Sequence, residues 1–452
     1  MELDRLITAA SPAEVVNPAA VDVADLAYDA REVAPGALFF CVPGTHADGH
    51  NFAPAAVAAG AAALVAERPL DLPVPQLIVA SVRRAMPALA TLFFGDPSRE
   101  LVVAGITGTN GKTTTAFLLR SILEAAGRRP ALLTNIERQV GGESRPIGLN
   151  TPEAIDLQRL FREMLDAGDR SCVMEATSIA ASQGRLEGTR FDVLVSTNLT
   201  QDHLDFHGTM EAYFAAKRAL FAQAAHAVVN VGDEWGRRLA SELDQKKTFT
   251  PDDDLGSVGL RLRGSFNRAN ALAAIEAARV LGVDDEAIRA GIEAVSGVPG
   301  RFESVDEGQP FAVIVDYAHT PDSLANVLRA ARELGNGKLT VVFGAGGDRD
   351  RKKRPLMGEI AGALADRAIV TTDNPRSENP EEIAQQVAAG RLEIVLDRRT
   401  AIEAAIEEAG TGDVVVIAGK GADTEQELAD GRVPFDDRVV ARETLRRRAV
   451  PA

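Results

Sequence analysis

A phosphate-binding loop is the clearest chemical signal in this sequence. The segment Thr107-Gly108-Thr109-Asn110-Gly111-Lys112-Thr113-Thr114 follows the apolar run 101–106 and precedes a helical pattern over 113–126. Glycines let backbone N–H groups surround phosphate oxygens, a lysine reaches the terminal phosphates, and a threonine hydroxyl can hold Mg²⁺. The strict P-loop spacing is missed by one residue, because Gly105 lies six residues before Gly111. The order of strand, turn and helix still predicts a nucleoside triphosphate site, with a ligand-free turn as the alternative.

Three further residues could serve a metal or the reaction itself. Glu175 comes directly after one strand-like run, and His203 lies in the segment 197–205 at the end of another, with Asp202 and Asp205 beside it. Strand ends of α/β proteins meet at the edge where ligands bind, and Mg²⁺ prefers oxygen ligands. We therefore expect Glu175 to hold Mg²⁺ and His203 to be functional, with a structural loop histidine as the alternative. Lys217 lies in a helical stretch, and its pattern alone predicts a solvated surface residue.

Three later segments place polar clusters directly after strand-like runs. They are DYAHTPD at 316–322, GAGGDRDR at 344–351 and DNPR at 373–376. The glycine-rich start of the second favours anion binding over a merely solvated charge run. Pro375 stiffens the turn that presents Arg376, and the planar guanidinium of arginine suits bidentate capture of a carboxylate. We expect Arg376 to bind a carboxylate, and an exposed arginine in a structural turn is the alternative.

The order of strand-like and helical segments predicts an α/β protein of three domains. Glycine and proline clusters at 95–98 and 297–300 mark the two breaks. The predicted domains are 1–98, 99–298 and 299–452. The first is a small α/β domain, the second a P-loop-type ATPase domain with a parallel sheet, and the third a Rossmann-like domain.

Composition narrows the class of partner. The 452 residues are 46% hydrophobic, and 49 basic against 65 acidic side chains give a net charge of −16, so no nucleic-acid partner is expected. Cys41 and Cys172 are too few for a disulfide framework or zinc cluster, and Met1–Val15 lacks the apolar core of a signal peptide. We expect a cytoplasmic protein. The most apolar segment, 53–66, is shorter than the roughly 20 residues that cross a bilayer, so we predict a packed helix and no membrane insertion.

Taken together, these segments resemble the Mur ligases, ATP-dependent enzymes that add amino acids to the UDP-linked peptidoglycan precursor. The resemblance covers nearly the whole chain and is closest to the members that add meso-diaminopimelate as the third residue. The matching strings are DAR at 29–31, PGALF at 35–39, PGT at 43–45, 107–114, 197–205, FNRAN at 266–270, 316–322, 346–350 and 373–376. The resemblance implies a UDP-sugar domain, an ATPase domain and an amino-acid domain. It also implies that a substrate carboxylate attacks the ATP γ-phosphate, giving an acyl phosphate that an amine displaces to form an amide.

The resemblance further implies roles for individual residues in ATP and Mg²⁺ binding. The catalytic set is Lys112, Glu175, His203 and Lys217. Lys217 matches the lysine that the family carbamylates, which turns a cation into an oxygen ligand and replaces the surface interpretation. The implied metal ligands are Thr113, Glu175, His203 and carbamylated Lys217. The implied ATP contacts are Gly108, Thr109, Asn110, Gly111, Lys112, Thr113, Thr114, Asn267, Asn270, Arg301, Asp316 and His319.

Substrate positions follow in the same way. The UDP-N-acetylmuramoyl-L-alanyl-D-glutamate substrate would contact Ala30, His46, Asn150, Thr151, Thr177 and Arg185. The diamino acid would contact Arg349, Asn374, Arg376, Gly419 and Asp423. Within this set, Arg376 and Arg349 would bind the distal carboxylate of meso-diaminopimelate, which lysine lacks. A monomer is expected.

Several substrate positions depart from the family pattern, which leaves alternatives open. The family's K-G-H-E reads Lys420-Gly421-Ala422-Asp423 here, its S-S-H reads Thr177-Ser178-Ile179, and its T-T-P reads Asn150-Thr151-Pro152. One alternative is therefore a Mur-like ligase with another amino acid or acceptor. A folylpolyglutamate synthetase-like ligase is a second, disfavoured by the DNPR segment. A nucleotide-binding regulator without catalysis is a third, disfavoured because Lys112, Glu175, His203 and Lys217 are all present.

Overall fold

A computed structural model of the chain describes residues 1–44 and 47–449. These residues divide into two compact units. Within the described residues, the first unit comprises 1–44, 47–107, Gly127–Leu194 and Ala216–Ala227, and the second comprises Gly108–Ala126, Val195–Ala215 and 228–449. Across the described ranges, every helix is too short or too polar for a bilayer crossing.

The beginning of the first unit is a five-stranded sheet covered by helices. Its strands, in spatial order, are Glu14–Val16, Gln76–Ile78, Ala63–Ala66, Ala37–Phe40 and Asp25–Ala27. Only the first of these pairs antiparallel to its neighbour. The accompanying helices are Leu3–Ala10, Ala53–Ala58 and Val82–Phe93, with short 3₁₀ turns at Ala30–Glu32, Gly49–Phe52 and Pro97–Arg99.

The prediction of one packed helix over 53–66 was wrong in its second half. The helix ends at Ala58, and Ala63–Ala66 is a fully buried strand. Alanine has no strong preference for extended backbone, so local composition favoured helix. Pairing of this segment between two parallel strands, 37–40 and 76–78, decided its conformation instead.

A second group of strands in the first unit brings two functional strand ends together. Ser171–Glu175 lies between Val102–Thr107 and Pro130–Leu133, and all three strands run parallel. Glu175 pairs with Ile106, so the carboxyl end of this strand lies beside the start of the phosphate loop. Two antiparallel strands, Arg138–Val140 and Glu143–Arg145, extend the group, and the helices here are Ala154–Asp166 and Ser178–Ser182.

The helix that follows the phosphate loop belongs to the second unit. It spans Lys112–Ala125 and packs against the helices Ser265–Val280 and Asp285–Ala294. The Ser121 hydroxyl donates a 2.7 Å hydrogen bond to the Gly291 carbonyl in this packing. The remaining elements of the middle part are strands Phe191–Ser196, Ala224–Asn230 and Lys246–Phe249, helices Leu204–His207, Met210–Ala219 and Glu234–Ser241, and the 3₁₀ turn Leu220–Gln223.

The last part of the second unit is a six-stranded sheet with helices on both faces. Its strands, in spatial order, are Glu303–Ser304, Ala312–Asp316, Val414–Ala418, Leu339–Phe343, Arg367–Val370 and Glu393–Ile394. One core contains the helices Pro321–Arg332, Lys353–Leu364 and Pro380–Ala388, and the other contains Arg398–Glu408 and Asp437–Ala449. All strands but the first run parallel, which confirms the predicted doubly wound sheet.

The parallel strands of this sheet present four loops at one edge. Residues 317–320, 344–350, 371–376 and 419–423 each follow the carboxyl end of a strand. In doubly wound sheets, ligands bind outside this edge. The two-stranded hairpin Glu425–Leu428 and Gly431–Pro434 directly follows the last of these loops.

Candidate active site

The phosphate loop has a backbone conformation that requires glycine at two positions. Gly108 and Gly111 have φ angles of 140° and 85°. A Cβ atom at Gly108 would overlap Thr197 Oγ1, and one at Gly111 would overlap Asn270 Oδ1. Lys112 begins the helix, and its ammonium donates hydrogen bonds to the carbonyls of Gly108 (3.1 Å) and Thr109 (2.8 Å). A glycine turn, a helix N-terminus and a lysine folded over the turn together suit polyphosphate.

The loop after the strand 191–196 holds the phosphate loop in place. The Asn198 side chain accepts a hydrogen bond from the Asn110 amide (2.9 Å) and donates one to the Asn110 carbonyl (3.1 Å). Thr109 Oγ1 lies 3.1 Å from the Thr200 carbonyl and 3.1 Å from the Tyr213 hydroxyl. Sequence reasoning missed the positioning roles of Asn198 and Tyr213, because their partners are far away in the chain.

His203 belongs to a charged cluster within the second unit. Its Nε2 lies 3.4 Å from Asp202 Oδ2, while His319 Nε2 and Lys353 Nζ each lie 3.9 Å from an oxygen of the same carboxylate. Burial opposes ionisation of Asp202, but the surrounding positive groups lower the pKa of its carboxyl to about 2. Burial, aided by the charge of Lys353, lowers the pKa of His319 to about 4. The structure thus joins His203 and His319 through Asp202, and it adds Lys353, which the sequence did not single out.

Arg301 connects the start of the third predicted domain to the phosphate loop. Its guanidinium donates a 2.9 Å hydrogen bond to Thr113 Oγ1 and lies 4.3 Å above the Tyr317 ring. Asp316 is buried, and its carboxylate accepts hydrogen bonds from the amides of Phe302 (2.6 Å) and Ala318 (2.7 Å). Burial raises the pKa of Asp316. Its carboxylate therefore fixes the backbone of this edge loop, and the predicted ATP contact of Asp316 stays a prediction.

Two asparagines lie on the helix beside the phosphate loop. Asn270 Nδ2 donates to Asn267 Oδ1 at 2.9 Å, and Asn267 Nδ2 donates to the Arg263 carbonyl at 2.7 Å. The close approach of Asn270 Oδ1 to Gly111 places this pair next to the loop. Thr114 is buried in the first turn of the loop helix.

Glu175 and Lys217 are both buried within the first unit. Only 2% of Glu175 and 5% of Lys217 is exposed. The interpretation of Lys217 as a surface residue was therefore wrong, because its environment is set by residues distant in sequence. Lys217 Nζ lies 3.4 Å from Thr107 Oγ1, and the Asn135 amide lies 3.4 Å from Glu175 Oε1.

Residues predicted for the UDP-dipeptide form a network around Thr151. Thr151 Oγ1 lies 2.9 Å from the Glu175 carbonyl and 3.0 Å from Thr177 Oγ1. The Arg185 guanidinium donates to the Thr151 carbonyl (3.1 Å) and pairs with Glu153 (3.1 Å). Thr151, Thr177 and Arg185 are thus brought together beside Glu175.

Three other predicted contacts of this substrate lie apart from that network or lack a description. Asn150 is exposed at the end of the loop before Thr151. Ala30 lies in the 3₁₀ turn that Asp29 caps through the Arg31 amide. His46 lies outside the described residues.

The residues predicted for the diamino acid meet at the edge of the six-stranded sheet. A carbon built on Gly346 would lie 3.0 Å from Arg376 Nη1 and 3.8 Å from Arg349 Cγ, so both arginines lie next to Gly346. Asn374 Oδ1 accepts a 3.0 Å hydrogen bond from the buried Lys420 ammonium. The Gly419 amide donates to the Asp316 carbonyl at 3.0 Å.

Asp423 supplies the acidic group of the same edge. Its Oδ2 lies 4.0 Å from Lys420 Nζ. Burial raises the pKa of Asp423 to about 6, although the ammonium of Lys420 works in the opposite direction. The edge therefore offers arginines for a carboxylate and an acid for an ammonium, which together suit an amino acid with a distal zwitterionic group.

Comparison with known proteins defines the class to which this fold and site belong. Three family models match: the Mur ligase family catalytic domain over 22–92, the Mur ligase middle domain over 106–252, and the Mur ligase glutamate ligase domain over 300–421. The chain belongs to the Mur ligase family. Its three-domain α/β fold is confirmed, while the domain limits at 98 and 298 stay predictions.

Individual relatives refine this placement. The chain is 45% identical to UDP-N-acetylmuramoyl-L-alanyl-D-glutamate--2,6-diaminopimelate ligase of Geobacillus kaustophilus, with 94% of this chain and 96% of the relative covered. A solved structure of a ligase with the same name is 31% identical, has a TM-score of 0.65, and covers 95% of this chain and 96% of its own. MurF ligase of Thermotoga maritima in complex with ADP shares the fold at 22% identity and a TM-score of 0.66, covering 94% of this chain and 98% of its own.

Proposed function

We propose that this protein is the ATP-dependent ligase that joins meso-diaminopimelate to UDP-N-acetylmuramoyl-L-alanyl-D-glutamate in peptidoglycan precursor synthesis. Its similarity to the 2,6-diaminopimelate ligase of Geobacillus kaustophilus supports this substrate pair. The observation that carries the proposal is the edge of the six-stranded sheet, where Arg349 and Arg376 both lie next to Gly346 and Asp423 follows the neighbouring strand Val414–Ala418. Two guanidinium groups and one carboxylate match the distal carboxylate and ammonium of diaminopimelate, whereas lysine lacks that carboxylate.

The residues of the second unit support the nucleotide half of the reaction. Gly108 to Thr114 would receive the ATP phosphates on backbone amides and on Lys112. Arg301, held beside Thr113, adds a positive charge where the transferred phosphoryl group would lie. Positioning and neutralisation of charge account for most of the rate enhancement in such transfers.

The available donor groups fit Mg²⁺, which the family resemblance implies. Among the described residues, no three histidine, cysteine or acidic side chains form a ready-made metal cluster. Thr113 and the buried Glu175 offer hard oxygen donors, and carbamylation of the buried Lys217 would add another carboxylate-like group. His203 would assist as a nitrogen donor or through a bound water. When bound, Mg²⁺ would neutralise charge on the phosphates.

The residues of the site also suggest how the two chemical steps of ligation proceed. We infer that Thr151, Thr177 and Arg185 orient the dipeptide so that its terminal carboxylate attacks the γ-phosphorus, breaking the bond to the ADP oxygen. The resulting acyl phosphate is attacked by the amine of diaminopimelate, and phosphate leaves as the amide forms. Arg376, Arg349 and Asp423 hold the distal end of the diamino acid, so that the other amine is the one presented. Cytoplasmic location and a monomeric state stay predictions.

A substrate panel tests the proposal. The protein is incubated with ATP, Mg²⁺, UDP-N-acetylmuramoyl-L-alanyl-D-glutamate and one amino acid at a time, with meso-diaminopimelate, its LL isomer and lysine compared. Phosphate release and the mass of the nucleotide product are measured. We expect ligation with meso-diaminopimelate at a kcat/KM at least about a hundredfold above that with lysine, since lysine lacks the carboxylate and a hydrogen bond to a charged group contributes about 1.5–3 kcal/mol. Stronger activity with another amino acid would identify a ligase of different specificity, and no ligation would contradict the proposal.

A further inference from the structure

The arginine predicted to bind the distal carboxylate is held by a glutamate from the following hairpin. Arg376 Nε donates a 2.7 Å hydrogen bond to Glu427 Oε2, and the Arg376 amide donates to the Glu427 carbonyl at 3.1 Å. Glu427 lies on the strand Glu425–Leu428, about 50 residues after the arginine along the chain. The Glu427 carbonyl therefore holds the backbone of Arg376, and the Glu427 carboxylate holds its guanidinium.

The whole strand lies along the loop that carries the arginine. Gln426 Nε2 donates to the Asp373 carbonyl at 2.6 Å, and the Glu427 amide donates to Asn374 Oδ1 at 3.0 Å. Because Asn374 Oδ1 also accepts from Lys420, the strand, the DNPR loop and the loop after strand 414–418 share one network. Glu427 lies at its centre, since it contacts both Asn374 and Arg376.

The conformation of Arg376 requires such support. Its φ angle is 51°, in the left-handed region that residues other than glycine rarely occupy. Strained backbone of this kind persists where the surroundings hold it, and it concentrates at binding sites. Arg376 Nη1 also donates to the Gly347 carbonyl at 2.8 Å. Neither contact uses Nη2, so the amino group at Nη2 can bind a carboxylate while Nε and Nη1 orient the guanidinium.

Glu427 does not neutralise Arg376 completely, because a second arginine shares its charge. Arg432 Nη2 lies 2.8 Å from Glu427 Oε1, and the two residues are paired across the hairpin. About a third of the Glu427 side chain is exposed, so water screens the pair further. The guanidinium of Arg376 thus remains attractive to an incoming carboxylate.

We propose that Glu427 is a positioning residue that orients Arg376 for the distal carboxylate of the diamino acid and so contributes to amino-acid specificity. This inference rests on the proposed function. Its physical basis is orientation: a guanidinium that is already fixed loses little side-chain entropy when the ligand binds. Without Glu427, Arg376 would keep its charge, but its guanidinium would no longer be held in a fixed orientation.

Two substitutions of Glu427 separate orientation from charge. In Glu427→Ala, the hydrogen bond to Arg376 Nε is lost, and we expect the KM for meso-diaminopimelate to rise about tenfold while kcat changes less than about twofold. In Glu427→Gln, an amide oxygen still accepts from Nε, and we expect KM to return to within about threefold of the wild-type value. Glu425→Ala is the matched control, because Glu425 lies on the same strand and its side chain pairs with Arg432 instead.

The measurement is steady-state phosphate release with meso-diaminopimelate and with lysine, together with the thermal midpoint of each variant. We expect Glu427→Ala to lower the ratio of kcat/KM for diaminopimelate over lysine, whereas Glu425→Ala leaves it unchanged. An unchanged diaminopimelate KM in Glu427→Ala would overturn the inference, as would equal KM increases in the alanine and glutamine variants. If the wild-type protein itself ligates no diaminopimelate, the proposed function fails and this inference fails with it.

Discussion

Substitution of Glu378 tests which contacts stabilise the edge of the six-stranded sheet where the diamino acid is expected to bind. The Glu378 carboxylate binds the guanidinium of Arg354 through two hydrogen bonds, of 2.8 and 3.0 Å. The Arg354 side chain is 0% exposed and that of Glu378 is 12% exposed. Glu378 Oε1 also accepts from the Asp348 amide at 2.6 Å, so this buried pair fixes the loop that carries Arg349.

The substitution Glu378→Gln removes the charge and places an amide N–H group against the arginine. Breaking a buried ion pair by removing one partner costs about 3–5 kcal/mol. Arg354 retains neutral acceptors at Gln386 Oε1 (2.8 Å) and the Gly346 carbonyl (3.1 Å), which reduce the loss. We therefore expect the free energy of unfolding to fall by about 2–3 kcal/mol. Because the loop of Arg349 is loosened, the KM for meso-diaminopimelate should rise about threefold to tenfold.

The assay follows unfolding in urea and on heating by circular dichroism, with kinetics measured on the same preparations. At about 2–4 °C for each kcal/mol, the thermal midpoint should fall by about 4–12 °C. Glu382→Gln is the control, because Glu382 is exposed on the same segment and its change should stay within about 0.5 kcal/mol. A Glu378→Gln midpoint indistinguishable from that of the control would show that the Arg354–Glu378 pair does not stabilise the fold.

The pH dependence gives an independent check on the sign of this interaction. Hydrogen bonds from Arg354 lower the pKa of Glu378 from 4.5 to about 2. A lowered pKa means that the native state favours the ionised carboxylate. The contribution of Glu378 to the free energy of unfolding is therefore complete above pH 4.5 and is lost as pH falls through about 2. The stability difference between wild type and Glu378→Gln should therefore be constant near neutrality and should shrink in acid. A difference that grew on acidification would contradict the assignment.

Three other changes test the remaining parts of the site. In Gly111→Ala, the new Cβ atom would overlap Asn270 Oδ1 at a φ of 85°, so ATP affinity should fall more than about tenfold in a nucleotide titration. Gly127→Ala is the control, because Gly127 also has a positive φ but has open space around it, and this change should leave ATP affinity unchanged. Lys217→Ala removes the side chain that would carry the carbamate, so kcat should fall at least about a hundredfold. Labelling with ¹³C-bicarbonate should give a carbamate NMR signal in the wild type that the variant lacks. Full activity of the variant would exclude a role of Lys217 as a carbamylated metal ligand. Burial raises the pKa of Asp423 to about 6, so the KM for meso-diaminopimelate should rise as pH falls below about 6. Asp423→Asn should raise this KM and abolish its dependence on pH. An identical pH profile in the variant would assign the titration to another group.

The phosphate loop could be predicted from sequence because its requirements are local. Glycine at 108 and 111, a lysine at 112 and a helical pattern after them follow from backbone geometry within eight consecutive residues. The strand ends could be predicted for a similar reason, since each polar cluster directly follows an apolar run. Sequence reasoning therefore placed the DNPR and GGDRD segments at the correct edge of the sheet.

Burial and long-range pairing were the parts that the sequence pattern did not reveal. Lys217 looks like a surface lysine in its helix, yet it is 5% exposed because distant residues cover it. Arg398 and Asp437 form a fully buried pair at 2.7 Å, although they are separated by 39 residues and neither belongs to a recognisable motif. Lys353, Glu378 and Glu427 were missed in the same way. Each of them acts through a partner whose proximity only the folded chain provides.

The division between local and long-range determinants has a consequence for specificity in this family member. The groups expected to touch diaminopimelate, such as Arg376 and Asp423, lie on loops that a sequence motif identifies. Their orientation depends on residues outside those motifs, because Glu427 fixes Arg376 and Glu378 fixes the loop of Arg349. A chain could therefore keep the DNPR motif and still change its amino-acid preference by altering the hairpin 425–434. Transplanting that hairpin from a lysine-adding relative, with DNPR retained, should lower the preference for diaminopimelate over lysine, and an unchanged preference would place specificity in the motif loops alone.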